Sequence, residues 1–214
     1  MFKKKWFLFI LLILFLFSCA QPTQLTPEEI AQLREKQIQM TQKVYCDIPP
    51  QKILEACAYL LSLADHDYKF HFGENYLIAQ RNWLLYLILF ASSGTDTWQI
   101  RIEKTNSGNE TCSKVIVQAY TSSNTIVGTA NQYAGSVATL PYGSKIIISE
   151  SLYKLFFSRL DYLLGLSDKW MDCQEAQKWA KTIEKTRKIN IDPLCLLGTV
   201  DDKKPEKRIV KNEL

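Results

Sequence analysis

Hydrophobic and polar positions along the chain alternate between two periods, and each period predicts an element. After Thr26-Pro27-Glu28-Glu29, apolar Ile30, Leu33 and Ile38 are spaced for a helix running to about Gln39. Thr is its N-cap, Pro its first helical residue and Glu its third. Thr41 to Ile48, with Val44, Tyr45 and Ile48, reads as a strand that Pro49-Pro50 ends. From Gln51 to Ala64 the apolar residues Ile53, Leu54, Cys57, Leu60, Leu61 and Ala64 recur at intervals of three and four, the buried stripe of an amphipathic helix. Tyr68, Phe70 and Phe72 alternate with Lys69 and His71, and Gly73-Glu74-Asn75 turns the chain into a return strand, Tyr76 to Gln80.

Trp83 to Ala91 is nine residues almost wholly apolar. It is too short to span a bilayer as a helix and reads first as a buried core strand; a buried helix, or a surface meeting a membrane or a partner, are the alternatives. Trp98, Ile100 and Ile102 alternate with Gln99, Arg101 and Glu103. After Asn106-Ser107-Gly108-Asn109 a return strand, Ser113 to Thr121, carries Val115, Val117 and Ala119 inward, so this hairpin is the clearest element of the sequence. Ser122 to Ser144, rich in Ser, Thr, Asn, Gly and Ala, reads as a long loop of the kind that is often functional. Two more helices are predicted, Ser151 to Leu164 and Asp172 to Thr186. The pattern implies an α+β fold with an antiparallel sheet of four to five strands and helices packed on one face.

The first 18 residues stand apart. Lys3, Lys4 and Lys5 precede an unbroken apolar run, Trp6 to Phe17, and the layout is that of a secretory signal peptide. Leu16-Phe17-Ser18-Cys19 resembles the lipobox of bacterial lipoproteins. The resemblance implies cleavage before Cys19, a diacylglycerol on its sulfur and an acylated new amino group. Two or three acyl chains anchor stably, whereas one alone is marginal. In the enteric pattern an aspartate after the cysteine retains a lipoprotein in the inner membrane. Ala20 stands here, so the resemblance implies the outer membrane, with the protein facing the periplasm. Lys211-Asn212-Glu213-Leu214 looks like an endoplasmic-reticulum retention signal, which a bacterial lipobox makes a coincidence.

The expected organisation is therefore a signal peptide at 1–18, a lipidated tether and spacer helix at 19–40, one α+β domain at 41–198 and a disordered charged tail at 199–214. Val44 to Gln80, a strand, a Pro-capped helix and a Gly-turned hairpin ending Tyr-Leu-Ile-Ala, resembles a recurrent small domain of bacterial envelope lipoproteins. The likeness reaches Thr121, and Tyr153-x-x-Phe156-Phe157-x-x-Leu160 fits it. Most of that group has no assigned function, so the resemblance implies a fold and not a chemistry.

Composition narrows the function classes. Removing Lys3, Lys4 and Lys5 with the leader takes the formal charge from +4 to +1, so the mature chain offers no basic patch for nucleic acid. Of six cysteines, Cys19 takes the lipid. In an oxidising compartment the remaining five permit disulfides, and Cys46 with Cys112 and Cys173 with Cys195 are the candidate pairs. Cys57, on the apolar helix face, is the expected buried thiol.

Catalytic signals are sparse. Asp65-His66-Asp67 is read as a polar helix end rather than a metal site, which needs three or four converging ligands. His71 falls on a solvent face. Ser136 and Ser144 lie beside glycines but have no indicated base. No catalytic residue, metal or cofactor is expected. The favoured reading is a non-catalytic, lipid-anchored envelope protein that binds another envelope protein in a structural or assembly role. Trp83, Tyr86 and Phe90 are its candidate membrane or partner contacts. The alternatives are a small-molecule or lipid-binding module, using a groove between the sheet and the Ser151–Leu164 helix, and an envelope hydrolase.

Overall fold

The computed structural model describes residues 26–87, 90–107, 110–127, 138–183, 193–195 and 204–205. Cys19 and the leader lie outside the described residues. Two units divide the chain, Met1–Lys36 and Gln37–Leu214, so the boundary falls inside the first helix. That helix, α1, runs Pro27–Thr41. Its start is a reciprocal capping box: the Thr26 amide donates to Glu29 Oε2 at 2.7 Å and the Glu29 amide to Thr26 Oγ1 at 3.2 Å.

The element order continues β1 Gln42–Cys46, α2 Pro50–Ala64, β2 Lys69–Phe72, β3 Tyr76–Leu87, β4 Phe90–Ser107, β5 Glu110–Val127, β6 Ala138–Ile146, α3 Glu150–Leu163 and α4 Cys173–Ile183. All strand pairs are antiparallel, in the order β1-β5-β4-β3-β2. β6 also pairs with β5. Because β4 lines β5 from end to end, β1 and β6 share the other edge of β5, β1 along Cys112–Ile116 and β6 along Tyr120–Val127. The fold is the expected α+β class with an antiparallel sheet, of six strands where four to five were expected.

One sheet face builds the core. Leu77 and Ala79 of β3, Trp98, Ile100 and Ile102 of β4, and Val115, Val117 and Ala119 of β5 are buried. Register makes them cross-strand neighbours, as in Ala79–Trp98–Ala119 and Leu77–Ile100–Val117. Onto this face α2 lays Ile53, Leu54, Cys57, Leu60 and Leu61, and α3 lays Leu152, Leu155, Phe156 and Leu160, all at most 1% exposed. The Trp98 and Phe156 rings stack at 5.2 Å. Fully burying one such side chain contributes about 1.5–3 kcal/mol. Tyr153 joins sheet and helix: its hydroxyl donates to the Ile147 carbonyl at 3.0 Å and accepts from the Ala119 amide at 3.1 Å. Burial pushes that hydroxyl's pKa up, with the Ala119 bond opposing and Tyr120 adding to the rise.

Disulfides close both flanks. Cys46 joins Cys112, its register partner on β5, and Cys173 joins Cys195. Cys57 is a free thiol in the core, and burial pushes its pKa up. Arg159 fixes the chain after α3. Its Nε donates to the Met171 carbonyl at 3.0 Å, and its guanidinium lies 4.7 Å from the Trp170 ring. Lys204 and Pro205, inside the segment read from its charge as a disordered tail, are held in place. Pro205 is buried and its carbonyl accepts from the Tyr162 hydroxyl at 3.2 Å.

Candidate interaction surface

β4 and β5 are 18 residues each, about 60 Å at ~3.3 Å per residue. The core rows occupy only part of that length. Beyond them the sheet continues as a four-stranded extension of β3 from Asn82, β4 up to Thr95, β5 from Ser122 and β6 from Ala138. Ser122 to Ser144, expected to be a long loop, therefore contributes to two strands in its described parts, 122–127 and 138–144. Residues 128–137, the middle of that predicted loop, lie outside the described residues.

The extension starts at a buried charge. Arg81 is 3% exposed and falls on the core face, in register with Asp96. Its Nε and Nη2 donate to Asp96 Oδ2 at 3.1 and 2.9 Å, and its Nη1 donates to Asp65 Oδ2 at 2.9 Å. The guanidinium lies 5.2 Å from the Tyr68 ring centre. Burial alone would lower the Arg81 pKa. Tyr68, Asp96 and Asp65 together hold it above its ordinary value. The Tyr68 hydroxyl donates to the Pro193 carbonyl at 3.1 Å and accepts from Trp98 Nε1 at 2.9 Å. Its pKa is raised by burial, against the pull of Arg81 and the Trp98 bond.

Asp65 thus acts as an ion-pair partner, and His66 and Asp67 are exposed in the turn that follows. Among the described residues no group of three or more metal-ligating side chains converges. Inward parity points to the Arg81–Asp96 pair in the sequence: Leu77, Ala79 and Arg81 share one face of β3, as Asp96, Trp98 and Ile100 share one face of β4.

Past this ion pair, charge disappears. Neither 82–95 nor 115–144 contains a single Asp, Glu, Lys, Arg or His, in a chain that is 22% charged. Trp83 to Ala91, read first as one strand, instead spans the end of β3 and the start of β4, with Leu87 paired to Phe90 and Tyr86 to Ala91. Leu84, on the sheet face opposite the core, is 57% exposed. Trp83 is half-buried and lies over Gly94. A Cβ on Gly94 would sit 2.4 Å from Trp83 Cζ2 and 2.1 Å from the Ser122 carbonyl oxygen, so the close approach requires glycine. Trp83, Tyr86 and Phe90 share one hairpin, and the side chains of Tyr86 and Phe90 lie outside the described residues.

The groove expected between the sheet and the Ser151–Leu164 helix is filled by Trp98, Phe156, Leu152 and Leu155. A depression of about 210 Å³ lies on the opposite, open face, lined by Tyr76, Ile78, Gln99, Arg101, Ile116 and Gln118. Ligand pockets usually occupy about 300–1,000 Å³, so this shallow hollow is small for one. Asp161 of α3 pairs with Lys43 Nζ and accepts from the Tyr45 hydroxyl at 3.0 Å.

No known protein family, curated protein or solved structure matches this chain. The resemblances of Leu16–Cys19 to a lipobox and of Val44–Thr121 to envelope lipoprotein domains rest on their residues alone.

Proposed function

We propose that this chain is a lipid-anchored bacterial envelope protein that catalyses nothing, and that it serves a structural or assembly role by binding protein through its sheet extension. The observation that carries this reading is the uncharged extension of β3 to β6, which begins at the buried Arg81–Asp96 pair and on which Leu84 stands 57% exposed. An uncharged sheet extension with an open edge and an exposed leucine is a surface suited to association. The anchor supports the reading from the other end of the chain: Cys19 lies in a lipobox-like sequence, and no described helix is long and apolar enough to cross a membrane. In this reading the lipid holds the protein at the outer membrane, in the periplasm, and the extension meets the partner.

Two experiments test it. The Cys19→Ser variant should leave the membrane fraction, and its retention there would refute the anchor. Affinity purification of the detergent-solubilised lipoprotein should return a partner that the doubly charged extension variant Leu84→Lys/Ser93→Glu fails to retain. Equal recovery by both forms would refute the extension as the binding surface.

A further inference from the structure

We infer that the outer edge of β3 is a self-association edge, along which two copies of the chain pair their β3 strands antiparallel about a two-fold axis. This rests on the reading that the extension binds protein, and names its partner. β2 pairs with β3 only from Phe72↔Leu77 to Lys69↔Gln80. From Asn82 to Leu87 no described strand lies against that edge, so alternate backbone N–H and C=O groups point outward along it.

Protein edges are normally protected by charge, proline, a bulge or shortness. Asn82 to Leu87 has neither charge nor proline, and its register with β4 is unbroken from Tyr76↔Arg101 to Leu87↔Phe90. The other outer edge of the extension, β6, carries Pro141 and faces an irregularity between Thr121 and Ser123. One edge is therefore blunted and the other is open.

The choice of a second copy follows from charge and symmetry. A two-fold axis lays Asn82–Leu87 against itself, and a run without charge meets its own copy without like charges opposed. Insertion into lipid is disfavoured by length. Six residues at ~3.3 Å cover about 20 Å, whereas a spanning strand needs about 9–11 residues, and an open sheet edge is not tolerated in hydrocarbon.

The test is photo-crosslinking in cells from benzoylphenylalanine at position 84 of the full-length lipoprotein, with Glu103 as the control position on the same face. Leu84 is exposed, so the substitution leaves the core intact. The expected result is a covalent dimer from position 84 and none from position 103. In detergent, Leu84→Lys should weaken dimerisation at least tenfold in sedimentation. An adduct with a different protein would overturn self-pairing while leaving the protein-binding reading in place. No adduct of either kind would overturn both. A ladder of higher oligomers would overturn the two-fold arrangement.

Discussion

The two halves of the sheet are continuous in backbone and opposite in environment. Around Ala79–Trp98–Ala119, every inward side chain meets a helix and is buried. Only two rows further, at Trp83–Gly94–Ser123, Trp83 and Gly94 are partly open to solvent. Between them sits Arg81 with Asp96 and Asp65. The same hydrogen-bonded ladder thus serves packing in one half and presents a surface in the other, and the change is made by side chains, not by backbone.

Substitutions should separate the halves by size of effect. Trp98→Ala removes a fully buried indole stacked on Phe156 and should cost about 3–5 kcal/mol in denaturant unfolding. Leu84→Ala should stay within about 0.5 kcal/mol, as surface changes do. Equal costs would erase the distinction. Serine at both Cys46 and Cys112, which opens a 66-residue separation, should cost about 4 kcal/mol, and the shorter Cys173–Cys195 closure about 3. Both would register as lowered unfolding midpoints.

At the boundary, Arg81→Met leaves Asp96 buried without its partner and should cost about 3–5 kcal/mol. Replacing both as Arg81→Met/Asp96→Leu should recover most of that loss, because the desolvated charge is then gone. Gly94→Ala should expel Trp83 at about 1–3 kcal/mol. Its effect should be confined to Trp83 fluorescence and to exchange in the extension, with the core amides unchanged.

The smallest effect concerns pH. The hydrogen bond from Lys114 holds the Glu103 carboxyl below its ordinary range. A depressed carboxyl contributes stability above its unfolded-state pKa and loses it as pH falls through the folded-state value. Glu103→Gln should therefore flatten a shallow acid-limb decline in unfolding midpoint, and only slightly, because the pair is exposed.

This contrast also explains what was legible. The helix over 51–64 and the hairpin of Thr97–Lys104 with Ser113–Thr121 were plain because residues facing a core must alternate or repeat with the element's period. Ser122–Val127 and Ala138–Ser144 carry no apolar–polar alternation, and their Ser, Thr and Asn content imitates a loop. Trp83–Ala91 hid a hairpin because Ile88-Leu89, the two residues between β3 and β4, carry no Gly, Asn or Pro to signal a turn. Arg81 and Asp96 are each a single exception to an inward apolar parity, and their partnership across two strands is visible only once register is known. Cysteine spacing restricted the disulfides to candidates, since connectivity needs geometry.

The central claim is that the half of β3 beyond Arg81 is an interaction edge while the half before it is core. Amide hydrogen exchange on the detergent-solubilised lipoprotein tests this directly. The outward-pointing amides of Asn82–Leu87, those not bonded to β4, should be protected in the wild type and exchange at least tenfold faster in Leu84→Lys, with the β4-bonded amides and Leu77–Gln80 unchanged in both. Exchange of those outward-pointing amides at the same rate in the two proteins would contradict the claim.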